Sequence, residues 1–373
     1  MAVSERDELR GVVRGFLQSR STSRDVREAM VSERGYDEVL WRDICCELGL
    51  SGIAVPEEWG GAGAGMTELT VVFEEAGAAL LCSPLFATVG LAVQSILSSG
   101  DRDAMADFVP AFLDGSRTAT VIFNGGLGPW AAETVTLTAD YAGGAPRLSG
   151  EAALVIDGCS SDVLLAAART EAGPSLFAVD AEAAGLSRQP LATLDRTRQV
   201  ARVTFDSAPA RLIGADGKAA PGLERTSQLA LVALAAEQLG GAQRCLDMAV
   251  GYARDRIQFG RAIGSFQAVK HRCADMLVLV EGARSAVEQA ASVADGMADG
   301  DGLAVTASVA KMACSEAYVA AALDNMRVHG GVGFTWEHDA HLYVRRAKST
   351  ELTFGSPEEH AQRLAHLVAK GTS

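Results

Sequence analysis

The amino-acid sequence predicts an α+β protein with an N-terminal helical domain, a central β-barrel or β-sandwich, and a C-terminal four-helix bundle. Apolar residues recur at helical spacing over roughly the first 112 positions. The pattern then changes to short β-rich runs separated by Gly, Pro and Asp, and long alanine-rich segments follow. We therefore expect domains at residues 1–112, 113–215 and 216–373.

Length and composition are those of a soluble multidomain protein. A chain of 373 residues is too long for one core, and its 48% apolar and 21% charged residues are ordinary for a globular protein. A formal charge of −14 disfavours binding to nucleic acid. The longest uncharged apolar runs are too short to span a membrane, and the N-terminus lacks the apolar segment of a signal peptide. We expect a cytoplasmic protein with no nucleic-acid or membrane partner.

The cysteines indicate reduced side chains. There are seven of them, an odd number, and no two are spaced as Cys-x-x-Cys. Most lie in apolar helical segments, where a free cysteine behaves as a small hydrophobic residue.

The N-terminal third predicts helices interrupted by loops. Residues 6–19 and 36–49 carry apolar positions at helical spacing, and Gly49 ends the second segment. A loop rich in Pro and Gly follows at 51–66. Thr67, placed before Glu68 and an apolar run, predicts the start of the next helix.

The central third predicts strands, because β-rich runs alternate with turn residues about every ten positions. The predicted strands lie within 117–126, 134–141, 145–158, 162–170, 174–181 and 199–214.

The last third predicts three long helices, at 224–256, 263–297 and 303–328. Helices of this length that are apolar on more than one side usually pack in a bundle and bury a face against another subunit. Oligomerisation is therefore expected.

One stretch of this region is specific. Residues 252–276, YARDRIQFGRAIGSFQAVKHRCADM, contain Arg-x-x-Phe-Gly-x-x-Ile-x-x-Phe-Gln between two helices. Together with residues 48–69 and 327–349, and with the order helices, β-domain, helices, it resembles the acyl-CoA dehydrogenase family of flavoproteins over essentially the whole chain. The resemblance implies desaturation of an acyl-CoA substrate with FAD as cofactor and an electron-transfer flavoprotein as electron acceptor.

The resemblance also implies two groups of FAD-binding residues. In this family the neighbouring subunit donates residues that hold the pyrophosphate and adenosine, and this sequence has matching residues at each place. A guanidinium offers paired donors to a diphosphate, and glycines let the backbone approach the nucleotide. The matching residues are Arg256, Gln258, Phe259, Gln267, Arg327, Gly330 and Gly331.

The residues that would contact the flavin ring differ from the family pattern. The segments at 120–130 and 149–158 replace the family's Thr-Glu-Pro-x-x-Gly-Ser-like loop and Lys-x-Trp-Ile-Thr strand. Leu154 stands where the Trp is expected, and Ile156 stands where the Thr is expected. The polar contacts to the ring are absent.

The catalytic base is also absent from both places where the family supplies a glutamate. Phe354 occupies the C-terminal position, and Ala230 occupies the alternative position in the first long helix. Glu351 and Glu358 are displaced by three or four residues, about 5 Å along a helix, which is too far to replace the base. Glu358 and Glu359 follow Ser356-Pro357, where acidic residues favour a helix start.

The histidines supply no metal site by pattern. His338 and His341 flank Asp339 at a helix start, but no further ligand completes a site. His329 precedes the glycine pair, and a packing or hydrogen-bonding role suits it better than contact with a cofactor.

These observations lead to a hypothesis and two alternatives. Because the ring contacts and both bases are lost while the nucleotide group is kept, we expect the non-catalytic β-type subunit of a heteromeric acyl-CoA dehydrogenase, of the α2β2 type found among actinobacterial enzymes of steroid side-chain degradation. A catalytic partner subunit would supply the base. The first alternative is a homo-oligomeric flavin oxidoreductase with a relocated base or altered chemistry. The second is a structural or nucleic-acid-binding relative, and the acidic charge disfavours nucleic-acid binding.

Overall fold

The computed structural model of the protein describes residues 3–124, 126, 128–141, 144–297 and 302–371. Along the chain, helices come first, a β-sheet follows, and long helices return. This order confirms the predicted α+β class with its helical, β and helical parts. The exact boundaries near 112 and 215 stay a prediction.

The N-terminal region is helical, as expected. Its helices are α1 (Val3–Arg20), α2 (Ser23–Ala29), α3 (Glu38–Cys46), α4 (Met66–Ala78), α5 (Gln94–Ser99) and α6 (Arg102–Leu113). The Asp37 carboxylate accepts hydrogen bonds from the backbone N–H groups of Val39 and Leu40, which fixes the start of α3. A π-helical segment, Phe86–Val93, leads directly into α5 and is buried throughout.

Among its described residues, the middle region forms one sheet of eight strands. They are β1 (Ala119–Ile122), β2 (Leu137–Asp140), β3 (Arg147–Ile156), β4 (Val163–Thr170), β5 (Gly173–Asp180), β6 (Leu186–Pro190), β7 (Val200–Pro209) and β8 (Arg211–Ile213). Their order is β6-β7-β3-β2-β4-β5-β8, with β1 parallel to β4. An apolar cluster that includes Leu148, Leu164, Phe177, Val203 and Phe205 packs within this region.

The C-terminal region contains the long helices, which confirms the predicted segments within a few residues. They are α7 (Ala220–Asp255), α8 (Gln267–Ser292) and α9 (Gly302–His329), followed by α10 (Ala340–Leu352) and α11 (Pro357–Gly371). A short antiparallel hairpin of β9 (Ile257–Gln258) and β10 (Arg261–Ala262) joins α7 to α8. Helix α9 packs on α8, α10 and α11.

The chain divides into two compact units. The helical unit comprises Met1–Arg27, Met66–Leu81 and Leu231–Ser373, and the sheet unit comprises Glu28–Gly65 and Cys82–Ala230. Both units are discontinuous in sequence, because α4 belongs with the C-terminal helices. All residues matched to the nucleotide group lie in the helical unit.

Two expectations drawn from composition can be compared with the structure. All seven cysteines are free, as predicted. Within the described part of the chain, no helix is both long enough and apolar enough to cross a membrane.

Candidate functional site

The hairpin after α7 presents Phe259 at its tip. Phe259 and Gly260 both have positive φ values, 52° and 75°, between the paired residues Gln258 and Arg261. This is the backbone of a type I′ turn, in which glycine is favoured and phenylalanine is unusual. The Phe259 side chain is nevertheless 91% exposed, apart from an edge contact with Phe266. Because backbone strain of this kind clusters at ligand-binding and active sites, the hairpin tip is a candidate contact surface.

Arg256 lies at the base of this hairpin with a fixed backbone and an open side chain. Its N–H donates to the Tyr252 carbonyl at 2.9 Å, and its carbonyl accepts from Ile263 N–H at 2.8 Å. The side chain is exposed, and its guanidinium has no hydrogen bond or ion pair with any other described residue. Arg256 is therefore available to bind an anion.

Gln258 and Gln267 flank the same connection. The side-chain amide nitrogen Nε2 of Gln258 donates to the Ile257 carbonyl at 2.8 Å, and the Gln258 side chain is exposed. Gln267 is the first residue of α8, and the preceding Phe266 makes no side-chain cap. The Val269 and Lys270 N–H groups donate to the Phe266 carbonyl, both at 3.1 Å. The N–H groups of Gln267 and Ala268 are therefore the ones that lack an intrahelical partner and favour a polar or anionic ligand.

The glycine pair lies where α9 changes into a 3₁₀ turn, Gly330–Phe334. Gly330 has φ of 62°, which favours glycine. A Cβ atom added at Gly330 or Gly331 would meet no atom within 4 Å, so the backbone here faces open space. Arg327, one turn earlier, is exposed and donates to the Asp324 carboxylate at 2.7 Å.

Two contacts bring these segments together. The ring of Tyr252, near the end of α7, stacks on His329 with 4.3 Å between centroids. Arg272, in α8, shares the Asp324 carboxylate of α9 with Arg327. The end of α7, the start of α8 and the end of α9 therefore adjoin, and residues matched from separate stretches of sequence belong to one end of the helical unit.

The chemistry of this donor set suits a dinucleotide tail. An unpaired guanidinium and free N–H groups at a helix start can bind a diphosphate, and an exposed phenylalanine and amide groups can contact a base or ribose. Open glycine backbone permits close approach. The residues present thus fit the pyrophosphate and adenosine of FAD.

The turn at Phe354 contains no carboxylate side chain. It follows α10 with φ of 58° at Phe354 and 109° at Gly355. His360, which is fully buried, contacts the Phe354 carbonyl at 3.0 Å through Nε2. The buried Lys311 amine donates to the Thr350 and Glu351 carbonyls, both at 3.0 Å, and so caps the end of α10. These contacts of His360 and Lys311 fix the turn in position.

The neighbouring glutamates have other roles. The Glu351 carboxylate pairs with Lys348 at 3.0 Å. Glu359 accepts from the Ser356 N–H at 2.8 Å, and the Ser356 hydroxyl accepts from the Glu359 N–H at 3.3 Å. This reciprocal pair is a capping box at the start of α11 and confirms the helix-start interpretation for Glu359. Glu358, in the same first turn, is exposed.

The alternative base position is apolar. Ala230 has no exposed surface and lies within α7 between Leu229 and Leu231, which are also buried. An alanine side chain has no group that could accept a proton.

The predicted ring-contact positions lie in the sheet unit. Leu154 occupies a bulge, because β3 and β7 lose register between the pairs Ala152–Val203 and Val155–Ala201. Its φ of 60° is unusual for leucine and is typical of such bulges. Ile156 is buried, and its carbonyl accepts from Thr120 Oγ1 at 2.7 Å. Of the other predicted segment, 120–130, residues 125 and 127 lie outside the described residues.

Some residues that shape this region could not be selected from sequence. Asp295 accepts hydrogen bonds from the Met66 and Thr67 N–H groups at 2.6 and 3.0 Å, so the start of α4 is capped from 229 residues away rather than by Thr67. Lys311 and His360 were also missed. A lysine or histidine inside an apolar helical segment was the only available signal for either residue.

The histidines beside the glycine pair form ring contacts. His329 and His338 lie 4.3 Å apart, and His341 meets the edge of Trp336 at 4.6 Å. Among the described residues, no group of three or more His, Cys, Asp or Glu side chains is arranged to hold a metal ion.

Comparisons with known proteins identify the family. The chain matches the acyl-CoA dehydrogenase N-terminal domain over residues 4–116 and the C-terminal domain over 228–368. It is 36% identical to the acyl-CoA dehydrogenase IpdE2 of Mycobacterium tuberculosis, over 98% of this chain and 97% of that protein.

Solved structures give the same result. A chain from a variant of the Tcur3481-Tcur3483 steroid ACAD superimposes with a TM-score of 0.89 at 35% identity, covering 99% of both chains. A chain of the ChsE4-ChsE5 complex from Mycobacterium tuberculosis gives 0.89 at 30% identity, over 99% of this chain and 98% of that one. The protein therefore belongs to the acyl-CoA dehydrogenase family of FAD-dependent flavoprotein oxidoreductases.

Proposed function

We propose that this chain is the non-catalytic subunit of a heteromeric acyl-CoA dehydrogenase and binds the pyrophosphate and adenosine of FAD. A partner chain contributes the catalytic base and the pocket for the flavin ring. One observation carries the proposal. The residues matched to the nucleotide group lie on segments that adjoin at one end of the helical unit, while both positions for the catalytic glutamate carry side chains that cannot accept a proton, Phe354 and Ala230.

The residues of this chain bind and orient the nucleotide. Arg256 offers two parallel N–H donors to the diphosphate, and the backbone at Gly330 and Gly331 admits the nucleotide at close range. Phe259, exposed at the hairpin tip, supplies an aromatic face, and Gln267 supplies an amide at the start of α8. When bound, FAD supplies the acceptor for the hydride that leaves the substrate β-carbon.

Proton removal belongs to the partner in this proposal. Abstraction of the α-proton needs a carboxylate within reach of the hydrogen on the α-carbon of the acyl-CoA. Glu351 is engaged with Lys348 and Glu359 with Ser356, so neither is free for that role in this chain. The partner subunit would therefore contribute the glutamate and the polar contacts to the ring.

The relatives support a heteromer and a bulky substrate. One similar structure is that of a steroid ACAD with the double name Tcur3481-Tcur3483, and another is the ChsE4-ChsE5 complex. We extend these features to this chain and propose a steroid-type acyl-CoA as the substrate class. An electron-transfer flavoprotein would take up the electrons.

Substitution of Arg256 tests the nucleotide role. In the complex co-purified from its native host, Arg256→Ala removes a charge-assisted hydrogen bond worth about 1.5–3 kcal/mol. The expected result is FAD affinity weaker by roughly 10- to 100-fold, measured from flavin fluorescence during titration of the apo-complex.

The matched control is Arg254→Ala, which removes the same charge two residues earlier in α7. Near-normal FAD affinity is expected for it, because Arg254 lies within α7 and is not one of the residues matched to the nucleotide. An equal loss of FAD affinity in both variants would show that the effect comes from net charge alone. Unchanged FAD affinity in Arg256→Ala would refute the phosphate contact.

A further inference from the structure

Three aromatic rings contact one another in series next to the glycine pair, one contact stacked and the other tilted, and we call this series the stack. Tyr252, in the last turns of α7, lies 4.3 Å from His329 at an interplanar angle of 30°. His329 lies 4.3 Å from His338 at 46°. His329 is only 6% exposed and directly precedes Gly330, so the stack links α7 to the turn and to the start of α10.

The hydrogen bonds of the stack define where its protons are. The His329 Nδ1–H donates to the Asn325 carbonyl at 2.9 Å, because a carbonyl can only accept. His338 Nδ1 accepts from the Ala340 N–H at 3.1 Å, so this nitrogen carries no proton. The histidine ring thereby caps α10, since Asp339 at the cap position makes no side-chain cap of its own.

A second proton on His338 would break this arrangement. It would have to occupy Nδ1, the nitrogen that accepts the Ala340 N–H, and the cap would be lost. The positive charge would then lie at the N-terminus of α10, where the helix dipole is unfavourable to cations. It would also lie against the His329 ring.

Some of the surrounding charges raise the pKa of His338 and others lower it. Asp339 favours the charged ring, but its carboxylate is already held by Ser23 and Arg27, both at 2.7 Å. Burial and the nearby His329 lower the pKa of His338 below its ordinary value, and Arg27 contributes in the same direction. The titratable and charged groups facing this junction from α2, α7, α9, α10 and the intervening turn are Arg27, Tyr252, His329, Glu337, Asp339, His341 and Arg345.

We propose that Tyr252, His329 and His338 are positioning residues for the Gly330–Gly331 turn, and that the turn is held in place only while His338 is neutral. The stack fixes the His329 ring between its neighbours, and His329 is covalently joined to Gly330. The functional consequence is weaker binding of the nucleotide in acid. This consequence rests on the nucleotide-binding role proposed above.

Hydrogen exchange tests the positional part without reference to FAD. The full-length chain is labelled at about pH 7.5 and about pH 5, with labelling times scaled for intrinsic exchange, and peptides covering 329–342 are followed by mass spectrometry. Protection at the turn and at the Ala340 amide should fall by about tenfold or more on acidification. No change in protection would overturn the proposal.

Variants assign the effect to the stack. His338→Asn supplies a neutral acceptor for the Ala340 N–H, so protection should persist at both pH values. His366→Asn, on exposed α11, removes a histidine elsewhere and should leave the wild-type pH response. Tyr252→Leu, which keeps both histidines, should lose protection already at about pH 7.5. An unchanged pH response in His338→Asn, or full protection in Tyr252→Leu, would refute the positioning role.

The FAD affinity of the complex is also measured at the same two pH values. This measurement distinguishes a failure of the positioning role from a failure of the proposed nucleotide-binding function. Weaker binding in acid that His338→Asn abolishes supports both. A turn that loses protection while FAD affinity stays constant supports the positioning role and refutes the nucleotide assignment of the glycine pair. A turn that does not respond refutes the positioning role alone.

Discussion

Lys311 and His360 are buried ionisable residues that shape the turn at Phe354. The Lys311 amine donates to the Ser315 hydroxyl at 2.8 Å and to two carbonyls of α10, and burial lowers its pKa to about 8. His360 bridges the Phe354 carbonyl and the Ser308 hydroxyl, and burial together with Lys311 lowers its pKa to about 4. The turn is therefore held firmly even though it carries no carboxylate at Phe354.

The depressed pKa of His360 predicts loss of stability in acid. Between pH 4 and 6.5 the unfolded chain binds a proton at this ring while the folded chain does not, so the free energy of unfolding falls as pH drops through that window. The contribution is on the order of 3 kcal/mol. In His360→Gln, whose amide can still donate to the Phe354 carbonyl, this component of the pH dependence should vanish. Urea unfolding at several pH values measures it, and parallel curves for the two proteins would contradict the assignment.

At the residue scale, residues within a local motif could be selected from the sequence, whereas residues whose role depends on a distant partner could not. Arg256 and Phe259 could be selected because their motif is contiguous in sequence. Lys311 could not, because its acceptors lie about forty residues away along the chain. Asp295 is a stronger case, since only the fold brings it to the start of α4.

At the scale of elements, α4 and α7 cross at glycines. A Cβ atom at Gly77 would lie 1.9 Å from the Glu237 carbonyl oxygen, and one at Gly240 would lie 1.7 Å from that of Glu74. Both distances are far below van der Waals contact, and the obstructing atoms are backbone. The two helices can approach this closely only because both positions lack side chains.

This crossing predicts opposite effects for two alanine substitutions in α7. Gly240→Ala should destabilise the protein by about 1–3 kcal/mol or more, because the backbone of α4 must move. Gly251→Ala, where a Cβ would meet no atom within 4 Å, should stabilise it by about 0.5–1 kcal/mol through helix propensity. Chemical denaturation of both variants measures the difference. Similar values for the two would contradict the close crossing.

Elements with strong periodicity were predictable, and polar or very short ones were not. The long helices α7, α8 and α9 appear within a few residues of their predicted bounds. Strand β6 was missed because Leu186–Pro190 is a largely exposed edge strand without apolar alternation. The hairpin β9–β10 was missed because each strand has only two residues.

At the scale of the whole molecule, ion pairs tie distant segments into the helical unit. Glu74 pairs with Arg10 of α1 and with Arg284 of α8, both at 2.8 Å, and Arg346 of α10 pairs with Glu237 of α7 at 2.8 Å in the buried core. Of these pairs, Glu74–Arg284 joins α4, which lies early in the sequence, to a C-terminal helix. The predicted sequence order of helical and β parts was correct, but this discontinuity could not be predicted, because it depends on tertiary contacts.

The proposed division of labour between two chains rests on which functional groups this molecule keeps. The residues matched to the nucleotide group lie at helix ends and in the hairpin between α7 and α8, and the two base positions carry Phe354 and Ala230. A complex of this kind needs one chain for the tail of the cofactor and another for the chemistry. The acidic net charge of −14 disfavours nucleic acid as a ligand, and the macromolecular ligand that we propose is the partner chain.

The most direct test compares the chain expressed alone with the chain co-expressed with an acyl-CoA dehydrogenase from a neighbouring gene, measuring bound flavin and acyl-CoA oxidation in each. We expect no oxidation by the lone chain, and a co-purifying heteromer that holds FAD and oxidises the thioester. A homo-oligomer purified alone with stoichiometric FAD and full dehydrogenase activity would contradict it.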